Sequence, residues 1–164
     1  MSSAPRIVEL RGAAAADLPD VAAVMGEAFD PRYGEAWTAS QCLGMLSLAG
    51  VWLTLAEDEQ GALAGFALAR EMAGDAELLL LAVRPARRGR GIGASLLRSV
   101  IADAAARGAD KLHLEVRACN DAIHLYRAHG FDKVGERRNY YRGASGQSFD
   151  ACTYARGLSL GQQG

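Results

Sequence analysis

One passage in the middle of the chain limits what it can fold into. Residues 78–83 (Leu-Leu-Leu-Leu-Ala-Val) are an unbroken apolar run within a strand that reads from 76 to 83. Such a run suits a central strand buried on both faces. Arginines and glycines follow at once, as Arg84, Arg87, Arg88, Gly89, Arg90, Gly91 and Gly93. Leu96, Leu97, Val100, Ile101 and Ala104 then recur at helical spacing, which predicts a helix over about 94–107 stopped by Gly108. A strand, a glycine-rich turn and a helix in succession lay the helix back over the sheet, as in α/β proteins.

The flanks extend this pattern. Residues 7–11 alternate apolar and polar as a first strand. Asp17 can N-cap a helix that has Pro19 in its first turn and Leu18, Val21, Ala22, Met25 and Phe29 at helical spacing, with Pro31 as its stop. Thr38 opens a second helix through Cys42, Met45, Leu46 and Ala49, closed by Gly50. Residues 51–57 and 62–70 read as a hairpin, and a turn at 73–75 leads into the central run. Residues 111–116 alternate strictly, with Leu112, Leu114 and Val116 on one side and Lys111, His113 and Glu115 on the other. Asn120 can cap a helix over 121–129, and residues 132–138 and 148–158 read as a closing antiparallel pair. This order predicts an α/β (α+β) domain with a mixed, mostly antiparallel sheet of about seven strands, flanked by about four helices. The domain is expected to span 1–164, with a core over about 6–158 and mobile ends.

Composition closes off several classes. At 164 residues the chain can bury a core of its own. Lys plus Arg number 18 and Asp plus Glu 19, a formal net charge of −1, which argues against a surface built for nucleic acid or membrane. The apolar runs are too short for a bilayer and residues 1–5 carry no apolar signal core, so a cytoplasmic location is expected. Cys42, Cys119 and Cys152 lack C-x-x-C spacing, and His113, His124 and His129 lack metal-like spacing with carboxylates. No disulfide framework and no metal is expected, and the histidines read as surface or packing residues.

The segment Arg88-Gly89-Arg90-Gly91-Ile92-Gly93 lets backbone N–H groups approach an anion, and the helix that follows adds its positive dipole end. A phosphorylated ligand is the natural partner, although a tight connection would use the same residues. The spacing is not G-x-x-x-x-G-K-[ST], and Leu96 stands where a third glycine of G-x-G-x-x-G would fall.

With its strand before and helix after, this R-x-x-G-x-G segment resembles the acyl-CoA loop of the GNAT superfamily of N-acetyltransferases, and the element order resembles that fold over almost the whole chain. The resemblance implies splayed central parallel strands and acetyl-CoA as co-substrate. Leu81, Ala82 and Val83 would contact the pantetheine and the acetyl group. Gly89, Arg90, Gly91, Ile92, Gly93 and Ala94, with Arg88, would hold the pyrophosphate.

A second string is more specific. It runs Leu114-Glu115-Val116-Arg117-Ala118-Cys119-Asn120, then Leu125-Tyr126, Gly130-Phe131 and Arg137-Arg138-Asn139-Tyr140-Tyr141. It resembles the bacterial ribosomal-protein-alanine N-acetyltransferases, with which Trp37 and Asp150 are also consistent. That resemblance implies Glu115 as general base acting through water, Tyr126 as general acid, and Asn120 as a cofactor contact. Trp37, Tyr140 and Tyr141 would wall the peptide site. Between Asn120 and Tyr126 the chain is one residue shorter than the family pattern. Either the helix start shifts or Asn120 is displaced.

The residue types suit the chemistry. An α-amine with a reference pKa of roughly 7.7–8.0 is largely protonated near neutrality and needs a base, and a phenol can supply a proton to a thiolate. Each residue also has a plainer reading. Glu115 would face solvent, Tyr126 would be core, Asn120 would only cap a helix, and Arg137 to Tyr141 would form a solvated rim. Cys119 would lie near the site, as a small packing residue without an activating base.

Three functions remain. The first is acetylation of the α-amine of an alanine-initiated ribosomal protein. The second is acetylation of a small amine such as a polyamine, amino acid or drug, and the third is an acyl-CoA-binding module without catalysis. The presence of both Glu115 and Tyr126 argues against the third. A monomer and a weak dimer are equally compatible with the sequence.

Overall fold

A computed structural model describes residues 9–158. Its strands in chain order are β1 (Glu9–Gly12), β2 (Val51–Glu57), β3 (Leu63–Met72), β4 (Asp75–Val83), β5 (Lys111–Arg117), β6 (Asp132–Arg142) and β7 (Ser148–Gly157). Its helices are α1 (Leu18–Ala28), α2 (Ala39–Leu46), α3 (Ile92–Ala106) and α4 (Ala122–Ala128). The strands form one sheet in the order β1-β2-β3-β4-β5-β7-β6. Only the β4–β5 pair is parallel. Fold class and element order are those read from the sequence. Residues 7 and 8 of the expected first strand, and the expected mobile ends, lie outside the described residues.

Local chemistry explains most boundaries. Thr38 caps α2 through a capping box, its hydroxyl accepting the Gln41 N–H at 3.1 Å while Gln41 accepts the Thr38 N–H at 2.7 Å. Asp17 stands before α1 but does not cap it. Its carboxylate accepts the Ala14 N–H at 2.9 Å and pairs with Arg11 at 2.8 Å, closing the 3-10 turn Ala15–Asp17 instead. Helix α3 begins at Ile92, earlier than expected, because Gly91 at φ +78° ends the loop and the buried Ile92 side chain already belongs to the core.

Two apolar layers sandwich the sheet. One gathers Leu96, Leu97 and Val100 of α3 with Leu112, Leu114 and Phe131, and the other gathers Val21, Val24 and Met25 of α1 with Leu53, Phe66 and Leu68. The strand buried on both faces is β3, whereas Leu79, Leu81 and Val83 of β4 stay half-buried. The reason is that β5 leaves β4 after the pair Leu78↔Leu114, so the rest of β4 lines an opening. A bulge falls at that place: Ala69 pairs with Leu78 and Leu68 with Leu80, which leaves Leu79 extra. An extra residue reverses the alternation of faces. Ala76 and Leu78 accordingly pack in the α3 layer, and Leu80 and Ala82 in the α1 layer. No helix among the described residues is long and apolar enough to cross a membrane.

Candidate active site

The splay of β4 from β5 builds the site. β3 holds one edge of β4 as far as Val83, while beyond Leu78 the opposite edge has no strand partner. Its outward N–H and C=O groups are therefore available to an extended ligand. A cleft of about 770 Å³ lies there, lined by Leu81, Ala82 and Val83, by Arg88, Gly89, Gly91, Ile92, Gly93 and Ala94, and by the turn that leads through Asn120 to Tyr126.

The glycine loop has the conformation a phosphate cradle needs. Gly89 and Gly91 both lie at φ +78°, and a Cβ on either would meet nothing within 4 Å. The backbone turns where only glycine turns easily, and open space lies beside it. The N–H groups of Ile92, Gly93 and Ala94 start α3 and have no intrahelical acceptor. Arg88 ties the loop to α1 by donating to the Ala28 carbonyl at 2.8 Å. Arg90 is exposed and is not part of the cleft lining. An open strand edge that ends in a glycine turn and a helix start fits an extended ligand that carries a pyrophosphate.

A second cavity of about 110 Å³ adjoins the cleft, lined by Trp37, Glu35, Glu77, Glu115, Tyr140 and Tyr141 among others. Phe29, Glu35, Leu81, Asn120, Ala122 and Tyr126 line both spaces, so the two meet there.

Glu115 is the first β5 residue past the last β4 pair. Its side chain is 9% exposed, and Arg137 Nε lies 3.0 Å from Oε1. The Thr153 hydroxyl donates to Oε2 at 2.6 Å. It is therefore not the solvent-facing member of its strand. Tyr126 is 6% exposed and packs edge-on against Phe131 at 5.9 Å, so it is a core residue as well as a lining one. Its hydroxyl makes no hydrogen bond among the described residues and is not sealed off. Burial, and then the negative charge of Glu35, push the phenol pKa up, so Tyr126 keeps its proton.

Asn120 is fully engaged. Its Oδ1 accepts the Ala122 N–H at 2.9 Å, and its Nδ2 donates to Glu35 at 3.0 Å. Helix α4 starts at Ala122, and Asn120 braces the turn before it. The partner, Glu35, is a residue the sequence did not mark. Its side chain is 11% exposed and accepts from Arg117 Nε at 3.2 Å. The Arg117 guanidinium in turn lies 3.6 Å over the Tyr33 ring. Glu35 sits in the loop between α1 and α2, and only the fold brings it to Arg117 and Asn120, 82 and 85 positions away.

The second cavity owes its shape to a bulge in β6. Arg137 pairs with Ala151 and Tyr141 with Phe149, so β6 carries extra residues between those pairs. Asn139 occupies the bulge at φ +54°, a conformation asparagine tolerates, and its N–H donates to Asp150 Oδ1 at 2.9 Å. Consecutive Tyr140 and Tyr141 can then line the same pocket, ring edge to ring face at 4.9 Å. The Tyr141 hydroxyl donates to the Glu115 carbonyl at 3.2 Å, and burial pushes its pKa up. Trp37 is held by its N–H donating to Met25 Sδ at 3.0 Å.

Two loops close over this side. The Ala144 N–H donates to the Pro31 carbonyl at 3.0 Å. A Cβ on Gly34 would overlap the Arg142 carbonyl oxygen, and one on Gly143 the Arg32 carbonyl oxygen. Nearby, His113 is more than a surface or packing residue, since it bridges Asp75 at 3.3 Å and Glu77 at 3.1 Å. The Glu77 hydrogen bond raises the imidazole pKa, and His113 lowers that of Glu77.

The profile of the Acetyltransferase (GNAT) family matches residues 19–131, which include the glycine loop, Glu115, Asn120 and Tyr126. The [ribosomal protein bS18]-alanine N-acetyltransferase of Escherichia coli K12 is 38% identical over 103 residues, 62% of this chain and 69% of that protein. The crystal structure of the ribosomal-protein-S18-alanine N-acetyltransferase from Escherichia coli superposes with a TM-score of 0.82 at 28% identity, covering 96% of this chain and 97% of that one. A GNAT phosphinothricin acetyltransferase from Sinorhizobium meliloti, solved in complex with AcCoA, superposes with a TM-score of 0.78 at 25% identity, over 94% of this chain and 90% of that one. A family match over most of the chain, on a fold whose splayed strands frame the matched residues, places it: the chain belongs to the GNAT acetyltransferase family and is an acetyl-CoA-dependent N-acetyltransferase.

Proposed function

We propose that the protein acetylates the N-terminal α-amine of a protein, an alanine-initiated ribosomal protein above all, with Glu115 as general base and Tyr126 as general acid. The observation that carries this reading is one pocket holding both residues, where it meets the cleft, beside Trp37, Tyr140 and Tyr141. The relatives that bear the name of a ribosomal-protein-alanine acetyltransferase support the choice of acceptor.

The pocket favours a cationic guest. Glu35, Glu77 and Glu115 line it, while their ion-pair partners Arg117, Arg70, His113 and Arg137 do not. An α-amine with a reference pKa of roughly 7.7–8.0 enters as ammonium near neutrality and must lose a proton before it can attack. Glu115 takes that proton, through water. Acetyl-CoA supplies the thioester carbonyl and a thiolate leaving group. Leu81, Ala82 and Val83 border the pantetheine, and their strand offers N–H donors to the carbonyl oxygen as it gains charge. Gly89 to Ala94, with Arg88, hold the pyrophosphate, and Asn120 keeps the neighbouring turn in place. After attack the nitrogen sheds its second proton to water as the C–S bond breaks. Tyr126, still protonated in its buried position, gives its proton to the departing sulfur and recovers one from solvent, and Glu115 releases the proton it took to solvent. No covalent enzyme intermediate is needed.

Glu115→Gln tests the base. With an alanine-initiated peptide at pH 7, kcat/KM is expected to fall roughly 100- to 10,000-fold. The deficit should narrow above about pH 8, where the amine deprotonates unaided. Acetyl-CoA affinity by calorimetry should not change. Wild-type activity at every pH would remove Glu115 from the mechanism.

A small amine as acceptor is the second reading. The pocket volume of about 110 Å³ and the likeness to a phosphinothricin acetyltransferase favour it.

A further inference from the structure

A glutamate cannot hold its own direction. Its side chain has several rotatable bonds, and a base works only when an oxygen stays within reach of the proton it removes. Two groups from different strands meet the Glu115 carboxylate. Thr153 stands directly opposite Glu115 in the β5–β7 register, and its hydroxyl donates to Oε2 at 2.6 Å. Arg137, on β6, reaches Oε1 at 3.0 Å.

The two partners differ in freedom. Thr153 is β-branched, so its χ1 is restricted. Its backbone is paired on one side with Glu115 and on the other with Gly135. The hydroxyl therefore keeps its place unless the sheet itself opens. The Arg137 side chain is 60% exposed and carries a long flexible stem, so it can swing into solvent. An arriving ammonium can take over the place of Arg137 at Oε1 but cannot do so for Thr153 at Oε2.

We propose that Thr153 is the positioning residue of the general base: its hydroxyl fixes the Glu115 carboxylate by Oε2 and leaves Oε1 to serve the acceptor. The proposal rests on the reading of Glu115 as the base. It requires a hydroxyl at 153 and not merely a residue of that size, because valine would set a methyl group against the carboxylate. Threonine is not a group that could act on the acceptor itself here, since Thr153 is not among the residues that line the acceptor pocket.

Four variants decide it: Thr153→Val, Thr153→Ala, Thr153→Ser, and Thr153→Val combined with Glu115→Gln. Valine removes the donor while keeping the branched shape, and alanine removes it by truncation. Each should lower kcat with the peptide by about 10- to 100-fold, as expected for a misplaced catalytic group. Acetyl-CoA affinity and the circular-dichroism spectrum should stay as in the wild type. Serine keeps the donor and should return kcat to within about threefold. In the Glu115→Gln background, Thr153→Val should cost almost nothing further, because the group it positions is already gone. Wild-type kcat in the valine and alanine variants, with Glu115→Gln slow, would overturn the positioning role alone. An equal loss in the Glu115→Gln background would overturn it too, since Thr153 would then act through the fold. A fully active Glu115→Gln would overturn the base assignment first, and this proposal with it.

Discussion

Tyr126 packs in the core with its ring and, on the proposed mechanism, serves the chemistry with its hydroxyl. The ring packs on Phe131, and the hydroxyl makes no hydrogen bond among the described residues on a side chain that lines both cavities. Tyr126→Phe separates the two roles. The ring contact survives, so the melting temperature and acetyl-CoA affinity should hold. The lost hydroxyl matters only as charge develops on sulfur, so kcat and kcat/KM should fall together in steady-state kinetics. A change in cofactor affinity alone would make it a binding residue. Glu115 and Tyr126 were legible as candidates because a contiguous motif marks them. Glu35 and Thr153 were not. Glu35 lies in an irregular loop, and Thr153 is one more alternating strand residue; each gains meaning only from a partner far along the chain. Asn120 was legible as a cap, and the bond to Glu35 adds a brace that no local pattern encodes.

At the scale of elements, alternation, helical spacing, turn residues and one unbroken apolar run together marked the seven strands and four α-helices of the described residues, but not the short 3-10 turns. They could not locate the bulges. Leu79 looks like its leucine neighbours, yet the register slips there and sends Leu80 and Ala82 to the other layer. The β6 bulge has a trace in Asn139, a residue tolerant of positive φ, but its consequence, two adjacent tyrosines in one pocket, is visible only in three dimensions. The clasp between the α1–α2 loop and the β6–β7 turn is likewise a backbone contact, marked in sequence only by two glycines. Gly143→Ala probes it. Its Cβ would overlap the Arg32 carbonyl oxygen, so one loop must move away. Overpacking of this kind costs about 1–3 kcal/mol, which thermal denaturation would register. Because one of these loops carries Glu35 and Trp37 and the other follows Tyr140 and Tyr141, KM for the acceptor should rise while acetyl-CoA affinity stays constant. Unchanged acceptor kinetics would mean that the clasp is purely structural.

For the whole molecule, the balance of charge hides a local clustering of carboxylates, each paired with a cation outside the pocket lining. The chain has a formal net charge of −1, yet Glu35, Glu77 and Glu115 converge on one pocket. That pocket suits any ammonium, so charge alone does not separate a protein N-terminus from a polyamine. Shape does. On the proposed reading, the cavity of about 110 Å³ takes a small first side chain, and the peptide behind it leaves past exposed Tyr140 and its neighbour Tyr141. Aromatic walls add contact area at little entropic cost, and only an extended peptide can use them. Acetyl transfer followed by mass spectrometry should therefore give a far higher kcat/KM for an alanine-initiated ribosomal peptide than for spermidine or a free amino acid. Tyr140→Ala should raise KM for the peptide and leave spermidine turnover as it was. Blocking the α-amine of the peptide should abolish the reaction even with lysines present, because a lysine side chain would have to enter without a backbone laid along the tyrosines. Efficient acetylation of spermidine, or of a lysine in the blocked peptide, would assign the pocket to a small or side-chain amine instead.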